Sequence, residues 1–357
     1  MADTWCWNVA SGTVPLDRAI QVFLDAAAAN GRPPISESPV AEGRVGYVTY
    51  MSLAGTGPEM ASVEDRELDG VPVRIYRPHG VAPTGAPVLV WIHGGGWMIG
   101  SIDTDDCRVR TMADKAGVVA ISVGYRLAPE HPFPAAFDDC SAVVAAVAAK
   151  ADELGVDATR LAVGGDSAGG NLSAAVALWA RDRGGPSIAF QLLIYPAVDG
   201  PDVDYPSRDE NATGYFLTKD SMRYFWANYV TEADRADSRS DVRAMPMTAA
   251  SLAGLPPAYV LTAEFDPLRD EGAAYAERLA ADGVPTTHTN HDGCIHGFFG
   301  MQALFPVARA AMEEVTSVLR GALNGPPLPP TDGGPRAGVA ISEAQRSSAA
   351  PNNGARA

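Results

Sequence analysis

The sequence contains little of what several protein classes require. Only four cysteines occur in 357 residues, far apart and without a Cys-x-x-Cys pair, which excludes a disulfide framework and a zinc knuckle. No window offers about 18 uninterrupted apolar residues, and Met1 to Thr4 do not begin a basic stretch followed by an apolar one. We therefore expect a cytoplasmic protein without a membrane span. Its cysteines should be reduced and mostly structural: Cys6, Cys107, Cys140 and Cys294.

Positive charge is also scarce. The chain has 27 Lys and Arg against 43 Asp and Glu, a net charge of −16, and no dense basic cluster. An acidic surface repels phosphate backbones and anionic membranes, so neither nucleic acid nor a membrane surface is an expected partner. The hydrophobic content of 46% is enough for a sizeable core in one large or two modest domains.

Short apolar runs bounded by Gly or Pro predict strands, and helix-like stretches lie between them. Several runs are continuously apolar, as strands buried on both faces of a parallel sheet are. The pattern predicts an α/β fold with a mostly parallel central sheet flanked by helices. The predicted strands are Val71 to Tyr76, Pro87 to Ile92, Val118 to Tyr125, Leu161 to Val163, Ala189 to Tyr195, Pro257 to Thr262 and a strand-like Val284 to Asn290. The predicted helices are Ala135 to Lys150, Ala168 to Arg181, Asp270 to Ala281 and Gln302 to Leu319.

Two further amphipathic segments have no place in this alternation. Leu16 to Ala29 has one apolar face, and Thr218 can cap a second helix. The apolar stripe of that second helix is Met222, Phe225, Trp226, Tyr229 and Val230. We infer a helical cap over the carboxyl edge of the sheet, where open α/β folds bind ligands. The alternative is that both are ordinary outer-layer helices.

The residues from 324 onward are rich in Pro, Gly, Ser and Ala and poor in large apolar side chains. Such a segment cannot offset its ordering entropy by burial, so we expect a disordered tail over 324–357. The alternative is an arm that binds a partner.

The sharpest motif is Gly-x-Ser-x-Gly at residues 165–169, after an apolar strand and before an Ala-rich helix. In a nucleophile elbow the serine occupies a strained turn, and small neighbours let the backbone expose its hydroxyl. Ser167 is therefore the candidate nucleophile, and the Ala168 N–H can stabilise an oxyanion. The alternative is a Gly-rich structural turn.

A second glycine cluster, His93-Gly94-Gly95-Gly96-Trp97, follows a predicted strand. Three glycines let backbone N–H groups approach a ligand oxygen, which an oxyanion hole requires. We expect His93 to shape this loop rather than act as a base. A phosphate-binding loop is disfavoured, because neither cluster makes Gly-x-Gly-x-x-Gly or carries the Lys-Ser/Thr of a P-loop.

A serine nucleophile needs an imidazole base, and the base needs an acid that fixes its tautomer. His296 follows the last predicted strand, where this chain order places its base, so we prefer it. Asp266, just after the Pro257 to Thr262 strand, is the preferred acid, and Glu264 is its close competitor. The remaining candidates have other expected roles, as surface, sheet or helix residues: His79, His131, His288, His291, Asp270 and Glu271. A metal site built from His288, His291 and His296 is disfavoured, because their spacing matches no standard ligand pattern.

Five motifs together resemble the hormone-sensitive lipase family of bacterial carboxylesterases, over about Val71 to Leu319. They are HGGGW at 93–97, YRLAPEHPFPAA at 125–136, GDSAGGN at 165–171, DPLRDEG at 266–272 and HGF at 296–298. The resemblance implies an α/β-hydrolase fold with Ser167 as nucleophile, His296 as general base and acid, and Asp266 as orienting acid. It also implies an oxyanion hole formed by the amides of Gly95, Gly96 and Ala168, with Gly94 and His93 supporting the loop.

The resemblance further implies a cap formed by the N-terminus and by an insertion. The expected division is 1–50 and 200–245 in the cap, and 51–199 and 246–323 in the core. A homodimer is plausible on the same ground, and the family pattern does not explain the tail.

The expected reaction is hydrolysis of short- to medium-chain carboxylic esters through an acyl-enzyme, without a metal or organic cofactor. Aromatic residues could wall a compact acyl pocket, although some could equally form the core of the cap. Those aromatics are Trp5, Trp7, Tyr215, Phe216, Phe225 and Trp226, and the expected substrate contacts are Trp97, Asp166, Tyr195 and Phe216. The rival functions are cleavage of amides, acetylated sugars, lactones or aryl and phthalate esters, and a non-catalytic ligand receptor on the same fold.

Overall fold

An eight-stranded sheet lies at the centre of the protein. The structure is a computed structural model that describes residues 15–31, 34–231 and 241–324. The strands are β1 (Ser62–Leu68), β2 (Val71–Arg77), β3 (Ala86–Ile92), β4 (Val119–Val123), β5 (Val156–Asp166), β6 (Phe190–Ile194), β7 (Ala258–Phe265) and β8 (Thr286–Ile295). Their order across the sheet is β1-β2-β4-β3-β5-β6-β7-β8. The pairs β1–β2 and β2–β4 are antiparallel, and the other neighbouring pairs are parallel.

Helices surround the sheet on both faces. In the described ranges they are α1 (Arg18–Ala29), α2 (Val40–Met51), α3 (Ile102–Ala116), α4 (Ala135–Ala149), α5 (Ala151–Leu154), α6 (Ala168–Asp182), α7 (Pro206–Glu210), α8 (Lys219–Tyr229), α9 (Arg269–Ala281) and α10 (Pro306–Asn324). None of the helices in these ranges is long and apolar enough to cross a membrane.

Alternation along the strands divides the core between the two faces. In β3, Val88 and Val90 pack in the cluster that includes α4 and α6, whereas Leu89 and Trp91 pack in the cluster that includes α3 and α10. All seven residues of β3 are buried, as expected for a central strand covered on both faces. The predicted α/β fold, with a mostly parallel central sheet flanked by helices, is confirmed.

Each predicted strand and helix overlaps an observed one, but β1, α2, α3 and the short helices α5 and α7 were not predicted. β1 has the sequence SVEDREL and is mostly exposed, so no apolar run marks it. α2 contains two glycines, and α3 begins with three acids among its first five residues. A capping box formed by Ser101 and Thr104, together with the C-cap Gly117, is the local signal that marks the ends of α3.

The loops after β3, β5, β7 and β8 lie at one edge of the sheet, because parallel strands end on the same side. Above this edge, α2 is attached to the core through Arg44. The guanidinium of Arg44 makes a bidentate pair with Glu130 at 2.7 and 2.8 Å and donates to the carbonyls of Met98 and Ala128. One side chain thus connects α2 to the loops that follow β3 and β4.

Candidate active site

Ser167 lies in a strained turn between β5 and α6. Its backbone has φ of 56° and ψ of −117°, and its N–H donates to the carbonyl of Ile194 at 2.9 Å. Such a conformation is costly for a residue with a side chain and is typical of functional turns. The flanking glycines are required by space: a Cβ on Gly165 would lie 2.4 Å from the carbonyl oxygen of Ile92, and one on Gly169 only 1.9 Å from it.

Three predicted residues meet at this turn. His296 directly follows β8, and its Nε2 lies 3.0 Å from the Ser167 Oγ. Its Nδ1 lies 2.7 Å from Oδ2 of Asp266, which directly follows β7. An ionised carboxylate only accepts, so Nδ1 carries the proton and Nε2 is left to accept from the serine hydroxyl. The other carboxylate oxygen of Asp266 accepts from the Leu268 N–H at 2.9 Å, so both of its oxygens are held.

The rival acids have other partners. Glu264 accepts from the Gly293 N–H at 2.7 Å and so connects the end of β7, just before Asp266, to the end of β8, just before His296. Asp270 accepts from the Ser207 N–H at 2.8 Å. Glu271 is fully buried and pairs with Arg208, and burial raises the pKa of its carboxyl to about 7.

The other histidines are not part of the Ser167 cluster. His288 and His291 lie within β8, where His288 contacts the Thr262 hydroxyl at 2.9 Å and His291 faces Glu314 at 3.4 Å. His79 and His131 are exposed. Within the described ranges, no group of three or more His, Cys, Asp or Glu side chains is arranged to hold a metal ion.

The glycine loop after β3 is held from below by Asp166. Its Oδ1 accepts from the Gly94 N–H at 2.9 Å and pairs with the Arg108 guanidinium at 2.7 Å. The backbone N–H groups of Gly95, Gly96 and Ala168 find no acceptor among the described residues, and all three residues border the same cavity as Ser167. Free N–H groups beside a nucleophile are what an oxyanion hole provides.

Arg108 is the site residue that sequence reasoning missed. It lies on α3, is 2% exposed, and stands between Asp105 and Asp166 with the rings of Trp91 and Phe299 near its guanidinium. A buried guanidinium requires such partners, because an unpaired charge in the core is very costly. Burial also raises the pKa of Asp105 to about 6.

His93 is buried beneath the glycine loop. Its ring stacks on Tyr125 at 4.2 Å, and its Nδ1 lies 2.8 Å from the Gly94 carbonyl, to which it donates. Burial lowers the pKa of His93 to about 4, so the ring is neutral near pH 7. This agrees with a loop-shaping role.

We expect acid to destabilise the fold through His93. Its pKa in the folded chain lies below that of an unfolded histidine, so the stabilisation present above about pH 6.5 is lost as pH falls toward 4. The loss is about 3 kcal/mol in the free energy of unfolding over that range. Urea unfolding at several pH values should show a shallower acid slope for His93→Gln than for the wild type. The exposed residue His131 supplies the control, because His131→Gln should keep the wild-type slope, and an unchanged slope in His93→Gln would contradict the expectation.

A cavity of about 930 Å³ opens above Ser167 and His296. Its walls are largely apolar and come from α2, α8 and the loops after β3 and before α8. They include Tyr50, Ile99, Leu217, Met222, Phe225 and Trp226. The Phe225 ring lies so close to the glycine loop that a Cβ on Gly96 would be 2.3 Å from it.

Three of the four expected substrate contacts, Trp97, Asp166 and Phe216, line this cavity, and the fourth does not. Tyr195 is fully buried, and its ring lies 4.6 Å from the His296 imidazole, so it supports the histidine from behind. Tyr215 packs on Phe265 at 5.0 Å and is not part of the cavity wall. Trp5 and Trp7 lie outside the described residues.

A serine, a histidine and an aspartate in a hydrogen-bonded chain on a mostly parallel α/β sheet define a hydrolase of the nucleophile-elbow type. Residues 89–300 match the family Abhydrolase_3, which is described as having the alpha/beta hydrolase fold. The chain belongs to this family, in the group of hormone-sensitive lipase-like carboxylesterases, and it is a carboxylic ester hydrolase.

Similar proteins bear esterase names. The chain is 45% identical over 257 residues to the carboxylesterase NlhH of Mycobacterium tuberculosis. This match covers 72% of this chain and 80% of that protein. It is 37% identical over 276 residues to an ethyl acetate hydrolase of Pseudomonas putida, covering 75% and 85% of the two chains. Among solved structures, an ester hydrolase from the metagenome of Lake Arreo, complexed with a bipyridine phosphonate derivative, superposes with a TM-score of 0.82. That protein is 43% identical, and the match covers 86% of this chain and 98% of the other.

Proposed function

We propose that Ser167 is the nucleophile, His296 the general base and acid, and Asp266 the orienting acid of this esterase. The observation that carries the proposal is the chain of hydrogen bonds from Ser167 through His296 to Asp266 at the floor of the cavity. His296 takes the hydroxyl proton as the Ser167 Oγ attacks the ester carbonyl, and the resulting imidazolium is stabilised by Asp266. His296 then gives this proton to the departing alcohol, which leaves an acyl-enzyme.

The second half of the reaction uses the same residues. His296 activates a water molecule that attacks the acyl-enzyme and releases the acid. In both halves the amides of Gly95, Gly96 and Ala168 receive the developing negative charge, and the N-terminus of α6 adds to its stabilisation. Asp166 and His93 hold the glycine loop in place for this purpose.

We also propose short- to medium-chain esters as substrates. The bulky side chains of Phe225 and Trp226 line the apolar cavity, and we expect them to favour compact acyl groups over long ones. The similarity to an ethyl acetate hydrolase supports this choice. Aryl and phthalate esters remain rival substrates, because the same aromatic walls suit a ring.

A series of p-nitrophenyl esters from acetate to palmitate tests the acyl preference. We expect kcat/KM to peak at short or medium chains and to fall at least about tenfold by palmitate. Met222 lies in the cavity wall on α8, so Met222→Ala should move the optimum to longer chains. Arg223 is exposed on the same helix, and Arg223→Ala should leave the optimum unchanged. A maximum at palmitate in the wild type would contradict the proposal. Full activity on amides or lactones instead of esters would favour the rival function, cleavage of those substrates.

The division of the chain is a proposal as well. Helices α1, α2, α7 and α8 would form the cap over 1–50 and 200–245, with the core in 51–199 and 246–323. The described helix α10 extends to Asn324, one residue into the expected tail, and 325–357 lie outside the described residues.

We further propose a cytoplasmic homodimer. The free thiols of Cys107, Cys140 and Cys294 support a reducing compartment. Light scattering tests the dimer.

A further inference from the structure

Three backbone carbonyls around Asp266 accept hydrogen bonds from one short segment of the insertion. The side-chain amide of Asn211 donates to the carbonyls of Glu264 at 3.3 Å and Asp266 at 3.2 Å. The Ser207 hydroxyl donates to the Pro267 carbonyl at 2.9 Å. Ser207 is fully buried and Asn211 is 4% exposed, so water does not compete strongly for these bonds.

This segment, α7 with Asn211, is itself firmly held. Arg208 pairs with Glu271 and donates to the carbonyls of Gly200 and Val203, both at 2.7 Å. Glu271 also accepts from the backbone N–H groups of Val198 and Asp199, so the buried ion pair connects Arg208 to α9 and to the residues that follow β6. A rigid segment can hold a neighbouring turn in place, whereas a mobile one cannot.

The orientation of Asp266 depends on the backbone that these bonds hold. Its carboxylate must stay 2.7 Å from the His296 Nδ1, and a displacement of a fraction of an ångström weakens that bond. Arg269 supplies second donors to the same turn, through its N–H to the Asp266 carbonyl and its guanidinium to the Glu264 carbonyl. Loss of Asn211 should therefore loosen the turn without opening it.

We propose that Asn211 and Ser207 are positioning residues that keep the Asp266 carboxylate directed at His296. The proposal rests on the proposed function, because it requires Asp266 to be the orienting acid. It assigns the insertion a role in catalysis besides walling the cavity.

Kinetics and NMR of Asn211→Ala, Ser207→Ala and the double variant test the proposal. We expect kcat per active site, titrated with a phosphonate ester, to fall about tenfold in Asn211→Ala and further in the double variant, with KM within about twofold of the wild type. The acid limb of the kcat/KM profile should move to lower pH by about half a unit, because the imidazolium loses support from Asp266. The low-field NMR signal of the proton between His296 and Asp266 should shift upfield or broaden. Ser207→Ala is the milder change, and it supplies the same readouts if Asn211→Ala folds poorly.

Tyr205→Phe is the matched control, because Tyr205 directly precedes α7 and the change removes its hydrogen bond to Asp199 at 2.8 Å without touching the Asp266 turn. It should leave the rate, the pH profile and the NMR signal unchanged. The proposal is overturned if the Asn211 and Ser207 variants lose thermal stability but keep the wild-type kcat, pH profile and low-field signal. Asn211 and Ser207 would then have a structural role only. Asp266→Asn distinguishes failure of the proposed function from failure of this inference. If that variant keeps wild-type activity, the proposed function fails, whereas a large loss there with none in the Asn211 and Ser207 variants rejects only this inference.

Discussion

Replacement of Ser167 by alanine is expected to abolish ester hydrolysis, with kcat falling by at least about 10⁴-fold. The reason is that the variant lacks the Ser167 Oγ, the proposed attacking atom, which lies 3.0 Å from the His296 Nε2. The residual rate would come from water activated by His296 beside the intact oxyanion hole. Release of p-nitrophenol from the acetate ester, followed for wild type and Ser167→Ala at equal concentrations of folded protein, measures the effect.

Ser173 offers a matched control for this change. It is a buried serine on α6, the helix that begins directly after Ser167, and its hydroxyl donates to the Gly169 carbonyl at 2.7 Å, away from His296. Ser173→Ala should keep activity within a few-fold of the wild type, with a small change in stability. Substantial activity in Ser167→Ala, or an equal loss in both variants, would count against Ser167 as the nucleophile.

Gly95→Ala is expected to have the second largest effect, a fall in kcat of about 10²–10³-fold with a smaller change in KM. Its φ of 114° is unfavourable for any residue with a side chain, and an added Cβ would lie 2.2 Å from the carbonyl oxygen of Ile99. The loop must shift to relieve this contact, and the Gly95 and Gly96 amides shift with it. Steady-state kinetics on a short-chain ester measures the loss.

Gly117→Ala is a control that distinguishes displacement of the Gly95 and Gly96 amides from the free-energy cost of placing a side chain at a left-handed glycine. It ends α3 with φ of 68°, and a Cβ there would meet nothing within 4 Å. Gly117→Ala should therefore lower stability by about 1 kcal/mol and leave kcat unchanged. If Gly95→Ala retained wild-type kcat, the N–H groups of this loop would not be the ones that stabilise the transition state.

The sequence predicted the parallel strands because they are buried on both faces. β3 reads APVLVWI, and no solvent-facing residue interrupts its apolar run. β1 was missed for the opposite reason, since this edge strand is exposed along most of its length and has a charged sequence. α2 was missed because its glycines and polar residues interrupt any apolar periodicity that would mark a helix. Its helical structure is explained by tertiary packing.

The site could be predicted where its chemistry is local in sequence. Ser167 and the glycine loop are short motifs, and chain order then favoured Asp266 and His296. The structure brings these residues together as that order requires. Arg108 could not be anticipated, because its role depends on tertiary packing that places a buried charge of α3 beside Asp166. Tyr195 was expected to contact the substrate because it follows β6 beside the site. Its side chain instead packs against the His296 ring and does not line the cavity.

Covalent labelling tests the central claim most directly. We would incubate the enzyme with a p-nitrophenyl phosphate triester, measure the p-nitrophenol released, and map the modified peptide by mass spectrometry. We predict one phosphoryl group per chain, attached to Ser167, with activity lost in proportion to the p-nitrophenol released and no label in Ser167→Ala. Complete inactivation with Ser167 unmodified, or with the phosphoryl group on another residue, would contradict the assignment of Ser167 as the nucleophile.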